Sequence, residues 1–463
     1  MDISVIIFLL VYLALALGYL PGFRVDRTGA AVAGALAMIG FRQITDEGAW
    51  AAIDYHTIGL LFGLMIVSGA FTVSGFYSAV AEKIASLRVS PPVLLAFLVA
   101  ASGGLSAVLT NDVVVVAMTP LLVTITMSRG LNPTPFLLGF CFASNTGSVA
   151  TIIGSPQNMI AAQTLGLSFL GFMKVAFVPA LISLPLVWGM VSLLYRRRWT
   201  LQASAAGEAA RVDVPRSPRH DLGETAKAGI VTIAVIAAFV FSDWPREMIA
   251  LSAAAIILVS RRVSSKEVLG TVDGNLLLLL AGLFVVNATL AQAGLPQKVI
   301  HDLQSSGLDL TDPSILFLVS SVLSNVVGNN PAVMLLAPFL PHTGNVDALG
   351  AALALGTGFS SNLIIFGSLA GIIVVEQAAG RGIKIGMREF CRAGIPVSVL
   401  CMVLALGWIA FLTMSAPGLS DNDQGRKPAS LGVLQDAAAR VDEPHRVPVA
   451  DLRTAQQWIG SPM

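Results

Sequence analysis

The chain has 463 residues, 55% of them hydrophobic and only 12% charged, with a formal net charge of +1. With a mean hydropathy of +0.79, this excludes an ordinary soluble globule, whose charged share is about twice as large, and gives no basic excess for binding nucleic acid. The composition is that of an all-α polytopic membrane protein. Cys141, Cys391 and Cys401 lie in or beside apolar stretches without CxxC or Cys/His spacing, so neither a disulfide framework nor a metal centre is expected.

Apolar segments of spanning length come in chain order at residues 3–20, 28–41 and 56–77, then the long stretch 92–127, then 135–165 and 170–194. The first lacks the basic region of a secretory signal and reads as a spanning helix. Residues 196–225, rich in Arg, Ala, Ser and Pro, read as a cytoplasmic linker too short for a soluble nucleotide-binding domain. The order then repeats at 226–241, 247–259, 275–293, 313–340, 348–379 and 394–414. Two repeats, 1–195 and 226–414, are predicted. The polar tail, 415–463, reads as disordered or at most a short surface helix.

The repeat is sharpest between Leu105–Pro120 (LSAVLTNDVVVVAMTP) and Leu323–Pro338 (LSNVVGNNPAVMLLAP), which align without gaps. Ser106 falls on Ser324, Asn111 on Asn329 and Pro120 on Pro338. Polar residues interrupt an apolar run in both copies: Thr110, Asn111 and Asp112 in the first, Gly328, Asn329 and Asn330 in the second. At 1.5 Å per residue the arm 313–327 covers roughly 22 Å and the arm 331–340 about 15 Å, short of a ~30 Å hydrocarbon core. The second copy therefore reads as a re-entrant hairpin at 313–340. Repeat symmetry extends that reading to 92–127, where Gly103 and Gly104 weaken the helix.

Lys and Arg segregate. With five spanning helices and one re-entrant hairpin per half, one face collects Arg24, Arg27, Lys83, Arg88, Arg129, the linker arginines, Arg261, Arg262, Arg388 and Arg392; the other, tail aside, holds Arg42, Lys174, Arg246 and Lys298. The positive-inside rule makes the crowded face cytoplasmic and puts both termini outside. An odd number of spans per half makes the repeats inverted.

A hairpin tip at membrane depth leaves backbone groups without helical partners, tolerated only where protein or a water-filled cavity satisfies them. Asn111 and Asp112, like Asn329 and Asn330 with Pro331 behind them, stand at the start of a returning half-helix, where amides and free N–H groups meet the positive end of a dipole. That suits an anion or polar solute, and plain N-capping is the alternative. Each hairpin precedes an interrupted segment, Ser144–Thr146 with Gly154, Ser155 and Asn158 in one half, Ser360, Ser361 and Asn362 with Gly367 and Ser368 in the other. Asn145 belongs to the first of these clusters, and close helix packing by small residues is the competing reading for both. Asp112, a carboxylate beside a run of valines, is expensive unless it pairs or works, and is the candidate carrier of a coupling proton or cation. His56, Lys174, His301, Glu376 and Arg388 fall near helix ends and read as interfacial anchors, with Glu376 held in reserve as a site candidate.

Thr110-Asn111-Asp112 ahead of a hydrophobic run ending Thr119-Pro120, the break Gly154-Ser155-Pro156-Gln157-Asn158, and SNLIIFGSLAGIIVVEQA from Ser361 resemble the ion transporter superfamily of arsenical pump permeases, NhaD-type sodium/proton antiporters and divalent-anion/sodium symporters. The Asn-Asp tip is most similar to the arsenical permease branch; dicarboxylate members carry Ser-Asn-Thr at both tips. The resemblance implies two re-entrant hairpins whose tips, with the two helix breaks, form a central site moved as a unit. Residue by residue it nominates Asn111, Asp112, Gly154, Ser155, Asn158, Asn329, Asn330, Gly367 and Ser368, with sodium at the tips as one coupling option. It also implies a homodimer, by likeness to the dicarboxylate branch, and a soluble ATPase partner, by likeness to arsenite pumps. The expected function is secondary active transport of a small anion or oxyanion, arsenite-like or a carboxylate, coupled to protons or sodium. A sodium/proton antiporter is the rival, and a passive channel is another. No HExxH, P-loop or nucleophile site supports an enzyme.

Overall fold

In hydrocarbon the backbone has to satisfy its own hydrogen bonds, and the apolar sequence does so as helices. The computed structural model describes residues 2–20, 22–200, 220–294, 305, 307–342 and 344–415, and no strand occurs among them. The tail beyond residue 415, the central linker 201–219, Lys298 and His301 lie outside the described residues.

The first half comprises α1 (Ile3–Leu17), α2 (Arg27–Gly40), the short α3 (Asp46–Ala52), α4 (Tyr55–Val73), α5 (Phe76–Ser86), α6 (Pro91–Val108), α7 (Asn111–Ser128), α8 (Pro133–Ser148), α9 (Pro156–Leu165) and α10 (Phe169–Leu194). The second comprises α11 (Leu222–Phe241), α12 (Arg246–Leu258), the short α13 (Ser265–Leu269), α14 (Gly274–Gln292), α15 (Pro313–Val327), α16 (Asn329–Leu336), α17 (Val346–Ser360), α18 (Leu369–Ala379) and α19 (Met387–Ser415). Among the described residues seven helices, α4, α6, α7, α10, α11, α14 and α19, are long and apolar enough to cross a membrane. The outer surfaces of α1, α10, α11 and α19 expose Leu9, Leu13, Leu181, Ile230, Ile233 and Val403, as lipid-facing helices do.

The interior reverses that arrangement. Residues 135–148 of α8 and 348–360 of α17 are buried on every side, and these two helices carry Ser144, Asn145, Thr146, Thr357 and Ser360 at the centre. An all-round buried helix needs small residues where others cross it closely. A methyl group on Gly147 would meet the Gly103 backbone at 2.3 Å, and one on Gly394 the Asn362 carbonyl at 1.9 Å.

Packing partnerships come in pairs that exchange the two halves. α6 packs on α8 as α15 packs on α17; α2 on α14 as α4 on α12; α10 on α8 as α19 on α17. The hairpins cross over: α7 lies on α18 of the second half, and α16 on α9 of the first.

One detail departs from the sequence expectations and two refine them. The third segment does not run smoothly to Tyr77: Gly75, at φ +76°, ends α4 and opens the amphipathic α5. The predicted break in 135–165 separates α8 from α9, with residues 149–155 between them; that in 348–379 separates α17 from α18 around a single 3₁₀ turn, Ile365–Gly367. The arms of the two copies also differ: α6 and α7 have 18 residues each, about 27 Å, while α15 has 15 and α16 only 8, about 12 Å. The length argument for a hairpin therefore holds for the second copy alone.

Candidate functional site

Both tips start a helix without side-chain help. α7 is capped by Thr110 and α16 by Gly328, and neither cap makes a side-chain hydrogen bond to the helix. Capping is thus not what Asn111 and Asn329 do. Asn111 N–H donates to Gly154 O at 2.9 Å, tying the tip to the neighbouring break, while its Oδ1 is buried without a partner. Thr110 is held by Ser68, whose Oγ accepts from Thr110 N at 3.0 Å and lies 3.1 Å from Thr110 Oγ1. Asn329 Oδ1 accepts from Ser324 Oγ at 2.5 Å and its Nδ2 donates to Ser361 Oγ at 2.8 Å.

The two breaks meet at the centre. Asn145 Nδ2 donates to Asn362 Oδ1 and to Ser368 Oγ, each at 2.9 Å, and all three residues are buried. Ser106 and Ser144 share a hydrogen bond of 2.8 Å. Asn158 Nδ2 donates to Ser148 O and Thr151 O, satisfying carbonyls freed where α8 ends, and leaves its own Oδ1 unpartnered. Ser155 and Ser368, the residues before α9 and α18, share extended backbones (φ −153° and −144°). Gly154 and Gly367 are required by proximity: a methyl would meet Ser148 O at 2.1 Å in one case, Asn325 Oδ1 at 2.8 Å in the other.

Between these parts lies a cavity of about 480 Å³. Asn111, Asp112, Asn145, Gly328, Asn329, Asn330 and Ser368 line it, so the structure brings seven of the nominated residues together. Ser106, Thr110, Gly154, Ser155, Asn158, Ser324, Ser361, Asn362 and Gly367 do not reach it; they sit behind, in the hydrogen bonds and close approaches just described. Asp112 from one tip and Asn330 from the other face the same space.

Several lining residues were not nominated from sequence. The cavity runs from buried Asn145 and Gln157 past Asn275 out to exposed Asp26 and Glu376, with Arg27, Thr28 and Asp273 on its wall. N-terminal turns of α2, α7, α9, α14, α16 and α18 all contribute to it, and six positive dipole ends favour a negative or strongly polar guest. Four carboxylates offset that field. Asp26 and Asp273 already accept from Gly29 N and Leu276 N as helix caps, at 2.8 and 3.0 Å, whereas Asp112 and Glu376 are committed to no cap. Arg27 is the lone cation, with its Nε buried and unpartnered among the described residues. Aligning the halves on Gly154-Ser155 and Gly367-Ser368 places Glu376 on Gln163, a signal that could have singled it out beforehand. Nothing comparable marks Arg27.

A model of the citrate transporter family, CitMHS, matches residues 8–358. A Mycobacterium bovis protein described as an uncharacterized transporter, Mb2703, is 30% identical over 431 residues, which cover 87% of this chain and 96% of its own. The silicon efflux transporter LSI3 of Oryza sativa subsp. japonica is 25% identical over 432 residues, 77% of this chain and 86% of its own. The solved YdaH transporter of Alcanivorax borkumensis shares the fold at a TM-score of 0.52 and 16% identity, covering 89% of this chain and 97% of its own. A multi-pass helical chain with a polar cavity between two helix breaks, matched over most of its length by that family model, is a membrane transporter of the citrate transporter family.

Proposed function

We propose that the protein is a secondary active transporter that carries a small anion or oxyanion across the membrane by alternating access, driven by a proton or sodium gradient, and has no enzymatic activity. The observation that carries this reading is the cavity itself, in which both polar tips and the Asn145–Ser368 junction surround a space fitted to a small solute. The dipole ends and Arg27 supply the attraction for a negative guest. A carboxylate guest is favoured by the family's description as citrate transporters, and a small oxyacid by the name of LSI3. Asp112 is the coupling group in this reading: it lines the cavity, lies between two hairpin arms and makes no ion pair among the described residues. Sodium would suit the unpartnered oxygens of Asn111, Ser155 and Asn158 at one tip and of Asn325 and Asn330 at the other.

The reciprocal packing of the halves supports an inverted repeat, and the crowding of Arg and Lys on one face supports a cytoplasmic linker with both termini outside. In that orientation the cavity opens toward the cytoplasm. A sodium/proton antiporter is the second reading, favoured by the pairing of two carboxylates, Asp112 and Asp273, on one wall. Uptake into proteoliposomes separates them. Labelled citrate, arsenite and silicic acid are offered under imposed pH or sodium gradients, with sodium flux followed in parallel. Saturable, gradient-dependent solute uptake is expected; sodium–proton exchange alone would select the antiporter, and flux linear in concentration and indifferent to gradients would mean a channel.

A further inference from the structure

Two matching groups of side chains occupy equivalent positions in the two halves and are found in different states. In the first, Arg246 at the start of α12 donates to Ala162 O at 3.4 Å and to Leu167 O, both at the C-terminal end of α9. Its neighbour Glu247, only 7% exposed, accepts from Gln163 Nε2 of α9 at 3.4 Å and meets His56 Nδ1 of α4 at 2.7 Å. α9 is thereby fastened to α4 and α12, and cations on the last carbonyls of a helix suit its dipole.

The second group repeats the first. Arg27 begins α2 as Arg246 begins α12, and Thr28 follows it as Glu247 follows Arg246. Asn275 stands two residues beyond Asp273, the cap of α14, as His56 stands two beyond Asp54, the cap of α4. Glu376 lies nine residues beyond Gly367 as Gln163 lies nine beyond Gly154. Thr28 Oγ1 reaches Asn275 O at 3.3 Å, so α2 is tied to α14 as α12 is to α4. What is missing is the third member: α4 packs on α9, but α14 and α18 face each other across the cavity, with all four residues on its wall. Arg27 is left at the positive end of a helix, its Nε buried and no carboxylate within ion-pair distance among the described residues. That is an unfavourable place for a guanidinium unless another arrangement gives it a partner.

We propose that these groups are the two gates of the transport cycle, shut in turn. With Arg246, Glu247, His56 and Gln163 closed on α9, the structure has Arg27 and Glu376 apart and the cavity open. In the alternate state Arg27 closes on Glu376 and on the Val375 and Gly380 carbonyls of α18, the counterparts of Ala162 and Leu167, while Arg246 releases α9. Arg27 and Glu376 are positioning residues whose pairing defines the second state.

The inference rests on the alternating-access reading above, and its test needs no substrate. In full-length protein with Cys141, Cys391 and Cys401 changed to Ala, Arg27→Cys and Glu376→Cys are introduced together, and disulfide formation with copper phenanthroline is timed in membranes. The same pair is then measured with the first gate weakened by Arg246→Ala or, separately, by Gln163→Leu. Cross-linking is expected to rise about fivefold or more in both backgrounds, a typical coupling between two sites. An unchanged rate in the two backgrounds, each monodisperse on gel filtration, would overturn the gate. Absence of gradient-driven flux in unmodified protein, alongside coupled cross-linking, would fault the transport reading and not the gate; flux with uncoupled cross-linking would fault the gate alone.

Discussion

Asn145 and Asn362 join the two helix breaks through one buried hydrogen bond of 2.9 Å, with Ser368 as a second acceptor on the same amide. Asn362 returns the contact to the other half, donating to Phe142 O at 3.3 Å and reaching Thr146 Oγ1 at 3.4 Å. The central site thus depends on side chains from both halves, 217 residues apart in sequence.

Asn145→Leu leaves Asn362 Oδ1 without its donor in a water-poor interior, at a cost of about 1–3 kcal/mol, while Ser368 Oγ keeps the Gly371 N–H at 3.0 Å. The apparent melting temperature in detergent should fall by several degrees, and Asn145→Asp should not rescue it, because an ionised carboxylate donates nothing. A melting temperature unchanged in Asn145→Leu would mean that the junction does not hold the halves together.

Asp112→Asn keeps the shape of the tip and removes its titratable group. Insertion, yield and melting temperature should stay close to those of the parent, while pH-driven uptake in proteoliposomes drops to background. Full pH-driven flux in this variant would take Asp112 out of the coupling mechanism.

Two glycines separate close approach from mere flexibility. Gly154→Ala drives a methyl into Ser148 O at 2.1 Å and Ser106 O at 2.7 Å, both backbone atoms, so the break between α8 and α9 has to move. Loss of uptake is expected, with destabilisation of the size that overpacking costs, about 1–3 kcal/mol. Gly104→Ala meets nothing within 4 Å and lies inside α6, where alanine is the better helix former by roughly 0.5–1 kcal/mol. It should be neutral or slightly stabilising in the same melts.

Asp221, the residue before α11, accepts from Gly223 N and Glu224 N and pairs with Arg262 at 2.9 Å. The Glu224 N–H above all, then Arg262 and Gly223, hold its carboxyl below the ordinary value of 3.8. A depressed pKa means stabilisation that is present above the unfolded value and is lost as pH falls through the folded one. Hydrogen exchange of the first turn of α11 should therefore be flat with pH down to about 4, after correction for intrinsic rates, and quicken below it. Asp221→Asn should remove that acid step; a step that persisted would assign it to another group.

Much of the fold could be read from residue order because hydrocarbon imposes a simple rule on apolar stretches. Helices α4, α6, α7, α10, α11, α14 and α19 coincide with segments identified by length and hydropathy, although α11 and α19 begin four and seven residues earlier, and the breaks at Gly154-Ser155 and Gly367-Ser368 stand out because Gly, Ser and Pro interrupt helical runs. α5 could not be read in this way. Its only entry signal is Gly75, and its Glu82 and Lys83 suggest a loop when hydropathy is the sole guide.

The tips at Thr110–Asp112 and Gly328–Asn330 were legible by themselves, since polar residues in an apolar run are costly wherever they lie and their repetition marks a common purpose. Arg27 and Asp273 were not, and Glu376 stood only in reserve, because charge is inexpensive at a helix end and sequence cannot tell an interfacial anchor from a cavity wall. What sequence alone determined is that this chain spans a membrane as two similar halves with a polar interruption in each. Only the tertiary structure decided which interruptions share one cavity, why Asn158 and Gly154 stand behind it, and that Arg246 donates to the end of α9 while Arg27 makes no ion pair with Glu376 of α18. The reason is physical: helix periodicity and hydropathy act over a few residues of one chain segment, whereas the cavity is made where ends of helices from both halves meet, and that meeting is set by packing between residues hundreds of positions apart.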